Sequence, residues 1–224
     1  ADAAVADARR PAEDRADDAR RKAAESLVFM RLAPGLKVFE MEAGGGWYTE
    51  LMSHAVGPTG KVFMQNPPGF LEFVGDKVEA RLKDGRLANV TETISNFDEL
   101  EAPDASVDLV TWVHGPHELY FKPSEGVTLG DPAGSYAEMF RILKPGGSLV
   151  VIDHAAKPGS DETTGDTLHR IDKAIVLQMA KTAGFRLVDE SALLANPKDP
   201  RTKDVFDESI KGYTDQFTLR FVKD

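Results

Sequence analysis

Short apolar runs alternate along this chain with stretches in which apolar residues recur every three or four positions. Val38, Phe39 and Met41, then Val62 to Met64, Val90 to Ile94, Val107 to Val113 and residues 148–153 read as strands. Helical periodicity falls between them, over about 47–56, 68–83, 133–143 and 171–183, with Phe70, Leu71, Phe73, Val74 and Val78 on the second of these helices. Gly57-Pro58-Thr59-Gly60, Lys144-Pro145-Gly146-Gly147 and Gly184 punctuate the pattern. Two further strands are expected near 185–190 and 216–222, with Pro197 and Pro200 in the connection. Strands alternating with helices predict an α/β fold, a mostly parallel seven-stranded sheet covered on both faces. The last strand follows a non-helical connection, so it is expected to insert antiparallel. Residues 115–130 read as a Gly/Pro-rich loop and 155–167 as a polar segment.

The first 33 residues differ in character from the domain predicted over 34–224. Residues 1–11 are rich in Ala, Asp and Arg and are expected to be poorly ordered. A charged helix is expected over about 12–31, with Leu27, Val28, Met30 and Leu32 as its apolar end. The simplest reading is a solvated helix docked through its last turn. A flap over a ligand cleft is the alternative.

Composition narrows the function. Lys+Arg 27 against Asp+Glu 37 gives a net charge of −10, which argues against nucleic acid or an anionic membrane as the main partner. The absence of cysteine excludes thiol catalysis, disulfides and thiolate-bound zinc. No apolar stretch is long enough to insert through a bilayer. The opening Ala1-Asp2-Ala3-Ala4 is compatible with a trimmed chain or with cleavage of a signal peptide. The pattern favours no particular oligomeric state.

The stretch from Val38 to Met52 holds the strongest chemical signal: an apolar strand, the Gly44-Gly45-Gly46 turn, then a helix. Glycines let backbone approach a nucleotide-like ligand, and a helix N-terminus offers free N–H groups to it. With Leu100-Glu101-Ala102-Pro103-Asp104-Ala105-Ser106-Val107-Asp108 and Leu143-Lys144-Pro145-Gly146-Gly147 following in order, the chain resembles class I S-adenosylmethionine-dependent methyltransferases over about 36–190. It is similar in particular to a group of often exported, methyltransferase-like bacterial proteins. That likeness rests on Gly45-Gly46-Trp47-Tyr48-Thr49-Glu50, His117-Glu118-Leu119-Tyr120, Asp153-His154-Ala155, Leu168-His169-Arg170-Ile171-Asp172 and the segment from Phe206-Asp207 to Phe217. The resemblance implies a Rossmann-like doubly wound fold, S-adenosylmethionine as cofactor, a small-molecule substrate and a periplasmic or exported location.

The resemblance also assigns sites. Glu40 would organise the amino-acid end of the cofactor, Gly44 and Gly46 would let the backbone close on it, Gln65 would meet the ribose, and Asn96 with Phe97 the adenine. Glu42 stands where the turn would take its first glycine. Its carboxylate would face the cationic part of the cofactor, fill the site, or serve a different ligand or a metal.

The residues offer their own candidates for chemistry. His114 and His154 end two strands, His117 and Glu118 follow the first of them, and His169 lies beyond the polar segment, so four of five histidines are expected at one cleft. His54, on the first helix of the domain, is the exception. Either a general base for methyl transfer, with His117 or His154 in that role, or a divalent metal held by His114, His117 and His154 would explain the cluster. The spacing is not the helical metalloprotease signature. Trp47, Tyr48, Trp112, Tyr120 and Phe121 are candidates for an aromatic pocket, and Arg170 and Lys157 for a substrate carboxylate or for solvated surface. Three functions remain open on these residues: a methyltransferase acting on a small, aromatic-type molecule; a lyase or isomerase that uses the His/Glu cluster or a metal without S-adenosylmethionine; and a non-catalytic binding protein.

Overall fold

The computed structural model describes residues 1–122 and 127–224; the part of the expected Gly/Pro loop at 123–126 lies outside the described residues. Three short helices, α1 (Asp2–Val5), α2 (Ala12–Ala16) and α3 (Ala23–Phe29), precede the sheet. Then follow β1 (Lys37–Met41), α4 (Trp47–Val56), β2 (Lys61–Asn66), α5 (Leu71–Leu82), β3 (Val90–Ile94) and β4 (Val107–Val113). The chain continues with α6 (Pro132–Ile142), β5 (Leu143–His154), α7 (Thr163–Leu168), α8 (Lys173–Thr182), β6 (Arg186–Ser191) and β7 (Gln216–Val222).

The seven strands lie in the order β3-β2-β1-β4-β5-β7-β6. All are parallel except β7, which runs antiparallel to both β5 and β6. The expected sheet, including its antiparallel last strand, is the observed one. The strand order reverses between β1 and β4, and a crevice opens there at the carboxyl ends of the strands.

Alternate residues of each central strand feed two separate cores. Val38, Val62, Leu109, Val150 and Ile152 pack under α4 through Leu51, Met52 and Val56. Phe39, Met41, Val110, Leu149 and Val151 face α6 and α8 through Met139, Ile142, Val176 and Ala180. That period of two is what a strand covered on both faces requires.

Several expectations change. The N-terminal segment is not a frayed tail followed by one solvated helix. It forms three short helices, with Pro11 at the start of α2 and left-handed Lys22 at the start of α3. Ala4, Ala23, Leu27 and Met30 are buried in the α4 core. Arg10 is buried and forms a two-bond ion pair with Asp18, at 2.7 Å for each bond. The helix expected over 68–83 opens with a single 3₁₀ turn at Pro68–Phe70, and of its apolar residues only Val78 is buried, while Phe73 is 73% exposed. β5 begins at Leu143, five residues before the expected start, since Leu143 pairs with Val107 across a register shift. Part of the polar 155–167 segment forms α7. Arg170 is neither solvated nor available to a substrate. It is fully buried, bonded to Asp199 at 2.8 Å and to the carbonyl of Lys203 at 2.8 Å, and ties the long β6–β7 connection to the sheet.

Leu51 is fully buried at the centre of the α4 face. Leu51→Ala is expected to lower stability by about 2–5 kcal/mol, seen as a fall in the urea midpoint at unchanged m-value.

Candidate active site

The crevice at the strand-order switch holds a cavity of about 850 Å³, within the range of small-molecule sites. Its floor is the end of β1 and the turn that follows: Glu40, Met41, Glu42, Ala43, Gly44 and Gly45. Trp47 and Tyr48 on α4, Lys77 and Arg81 on α5, and Val113 and His114 at the end of β4 form its walls. The N-terminal segment closes it with Pro11, Glu13, Asp14, Asp17 and Arg21. The flap alternative therefore describes this segment. Asp14 carries the latch. Its carboxylate pairs with Arg81, and its carbonyl accepts from Trp47 Nε1 at 2.9 Å. Arg81 also bonds Glu50 at 2.5 Å and the Gly45 carbonyl at 2.9 Å, so one guanidinium joins flap, helix and glycine turn.

The turn itself is left-handed at Glu42 (φ 52°), Gly44 (φ 56°) and Gly46 (φ 82°). Gly46 caps α4, and a side chain there would meet Met64 at 2.9 Å. The last two residues of β2 fix this shape. Gln65 Oε1 accepts from the Glu42 amide at 2.8 Å, and Gln65 Nε2 donates to the Ser95 carbonyl at 2.6 Å. Asn66 accepts from the Gly44 amide at 2.8 Å and donates to the Gly44 carbonyl at 3.1 Å. Gln65 is thus spent on the turn and does not line the cavity. Asn66, which the sequence reading passed over, shares the task; only the extra residue of β2 reveals it. Asn96 and Phe97 do not line the cavity either. Phe97 is fully buried, edge-on to Trp112 at 5.1 Å.

Glu40 sits beneath α4, buried, and accepts from the Thr49 hydroxyl. Burial pushes its carboxyl up to about 8, with the Thr49 bond and the charges of Arg21 and Arg81 only partly opposing the shift. Glu42 does not fill the cavity. Its Oε2 accepts from Trp112 Nε1 at 3.1 Å and turns toward the histidines. Burial and the nearby Glu118 carboxylate hold Glu42 well above the ordinary carboxylate range.

His114, His117, His154 and His169 do come together, though only His114 borders the cavity. His114 and His154 stack at 4.2 Å, and His117 lies 5.8 Å from both His154 and His169. Each is separately tethered. His114 Nε2 meets Gln216 Oε1 at 3.0 Å, His154 Nδ1 meets the Thr214 hydroxyl at 2.6 Å, and His169 Nδ1 meets Asp204 at 3.3 Å. His117 is held most firmly: its Nδ1 meets Asp153 at 2.7 Å, its amide donates to the other Asp153 oxygen at 2.9 Å, and Nε2 faces Glu118 at 3.3 Å. Burial opposes charge on His117, but Asp153 and Glu118 outweigh it and raise the imidazolium to about 10. Burial lowers His114 to about 4 and holds His154 well below the ordinary imidazole range. Near neutrality Asp153 and Glu118 thus favour the protonated form of His117. The cluster does not form a metal site: among the described residues no three His, Asp or Glu side chains are arranged to hold an ion, and His114, His117 and His154 bond to protein groups.

Of the remaining candidates, only Trp47, Tyr48 and His114 border the cavity. Trp112 is core, Tyr120 is half-buried against the Gly165 turn of α7, and Phe121 packs on His169 at 4.9 Å. His54 stands apart beside Asp7 and Glu50, as expected.

Residues 20–161 match the ubiE/COQ5 methyltransferase family. The chain belongs to that family. It is 29% identical over 188 residues to a ubiquinone/menaquinone biosynthesis C-methyltransferase of Shewanella halifaxensis, covering 84% of this chain and 64% of that protein. A Shewanella oneidensis relative of the same description is 28% identical over the same shares. The chain thus spans less than two thirds of the length of these curated relatives. Among solved structures, a SAM-dependent methyltransferase from Aquifex aeolicus superposes with a TM-score of 0.66 at 19% identity, covering 95% of each chain. A sarcosine dimethylglycine methyltransferase from Galdieria sulphuraria gives 0.66 at 15% identity, covering 95% of this chain and 88% of that one. At such identities these two comparisons speak for the fold.

Two expectations follow from the charges. A carboxyl raised by burial stabilises the fold fully below its unfolded value near 4.5 and loses that contribution as pH rises through about 8. Glu40→Gln is therefore expected to raise the melting temperature relative to the parent increasingly between pH 5 and pH 8, with little difference below pH 4.5. His117 is also raised, so its contribution is complete below about 6.5 and disappears as pH climbs through about 10. His117→Asn is expected to cost about 3–5 kcal/mol in urea titrations near pH 6, because Asp153 is left buried and uncompensated, and less above pH 10.

Proposed function

We propose that the protein is an S-adenosylmethionine-dependent methyltransferase acting on a small, quinone-type aromatic molecule. The observation that carries this reading is the cavity at the β1/β4 switch, floored by buried Glu40 and the left-handed turn at Gly44 and Gly46. These residues suit the cofactor. Glu40 offers a carboxylate that a bound ammonium would hold ionised, and the cavity is large enough for a nucleoside with an amino-acid tail. The cofactor supplies an electrophilic methyl group on a sulfonium.

The family and the descriptions of the curated relatives support a carbon acceptor. Carbon methylation requires that a ring carbon be made nucleophilic and that its proton leave afterwards. His114 is the cluster histidine that borders the cavity, and burial keeps it neutral. It is fixed by Gln216 and stacked on His154, so it presents a rigid polar edge against which an acceptor can be oriented. Methyl transfer is an in-line displacement and draws most on such positioning and on exclusion of water. The flap supplies the second, through the Asp14 latch. The lyase or isomerase reading has no support in the family match, and the partnered histidines give it no metal.

Calorimetric titration with S-adenosylmethionine and S-adenosylhomocysteine tests the reading. Saturable binding of both is expected, weakened at least about tenfold by Glu40→Gln, the scale of one lost bond to a charged group. Absence of binding at millimolar ligand would overturn it.

A further inference from the structure

Lys77 in the cavity wall is exposed and has no carboxylate partner among the described residues, while the arginines at and near the cavity divide into two kinds. Arg9, Arg10, Arg20, Arg81 and Arg86 each pair with a carboxylate of this chain. Arg21 pairs with none. Among the described residues no carboxylate or carbonyl accepts from its guanidinium, although that group lies mostly buried in the cavity wall. It is held instead by its face, 4.1 Å from the Trp47 ring centre and 4.9 Å from that of Tyr48. Stacking of this kind fixes the plane of a guanidinium and leaves its edge of N–H donors free. The same two aromatic residues are themselves packed edge to face at 4.6 Å, which makes a rigid shelf. A buried cation kept without an anion at a cavity wall loses hydration and gains no partner. Burial indeed lowers its proton affinity, with Glu40 among the charges that oppose this.

The cationic Arg21 and Glu40, whose carboxyl a bound ammonium would ionise, border one cavity, and neither has a close ion pair. A zwitterion with a carboxylate and an ammonium on one carbon would neutralise both. Other carboxylates face this end of the cavity, notably Asp17 and Glu13 on the flap, but they come from the same solvent-facing rim and leave the guanidinium edge unbonded.

We propose that Arg21 binds the α-carboxylate of the amino-acid end of the S-adenosyl ligand, opposite Glu40. The inference rests on the cofactor reading above. It adds that a residue outside the glycine turn and its strands, in the N-terminal segment, completes the site. A planar guanidinium can offer a carboxylate two parallel bonds, which a lysine cannot. Docking of the segment and seating of the ligand then form one equilibrium.

The test compares two ligands on the whole chain. S-adenosylhomocysteine carries the carboxylate; 5′-methylthioadenosine lacks the entire amino-acid end. Arg21→Met keeps most of the apolar stem against Trp47 and removes the fork. It is expected to weaken S-adenosylhomocysteine by about tenfold to a hundredfold in calorimetry and to leave 5′-methylthioadenosine within about twofold. Arg21→Lys is expected to fall between the parent and Arg21→Met. Equal loss for both ligands would show that Arg21 only supports the flap, and no loss for either would show that it is idle; each result overturns the proposal while sparing the cofactor reading. Failure of the parent protein to bind S-adenosylhomocysteine at millimolar concentration would overturn both.

Discussion

The turn between β1 and α4 is the constraint on which the rest of the site depends. Three of its five residues from Glu42 to Gly46 are left-handed, and only two of the three are glycine. A glutamate held in that region costs about 1–2 kcal/mol relative to ordinary backbone. The turn is stable because β2 grips it from below through Gln65 and Asn66, with three side-chain bonds to Glu42 and Gly44 and a fourth anchoring Gln65 to the Ser95 carbonyl. From this geometry follow the burial of Glu40 under Thr49, the start of α4 at Trp47, and the direction of Glu42 into the sheet end. The strained residue is also the one whose side chain joins the cavity to the histidine cluster.

That cluster divides its charge by burial and by partner. His117 gains Asp153 and Glu118 and stays cationic, while His114 and His154 gain only neutral partners and lose their protons. Three imidazoles within stacking distance can coexist because just one of them is charged. Near neutrality the arrangement offers one oriented neutral ring, His114, at the cavity edge, with His154 stacked on it. Such pairs of environments that push like groups apart in acidity are a common mark of working sites.

Much of the fold was legible because the central strands are buried on both faces and so read as uninterrupted apolar runs. β3, β4, α4 and β7 have the residue limits that the pattern predicted. The convergence of His114, His117, His154 and His169 was legible too, from strand ends alone. The roles of Gln65, Asn96 and Phe97 were not, since sequence order tells which residues reach a strand end and not which way they turn. Phe97 goes to the core beside Trp112; Gln65 goes to a backbone amide. The flap was hidden for a different reason. Its apolar residues are few, and what docks it is a set of charge pairs and an arginine–aromatic stack between partners up to 67 residues apart, which leave no periodic trace.

The Asp14–Arg81 latch has a kinetic meaning as well. A molecule seated below it gains a wider exit when the three short helices part from α4 and α5, a small opening with its own free energy. Exchange of bound molecules then depends on the fluctuations of the first thirty residues as well as on contacts with the sheet.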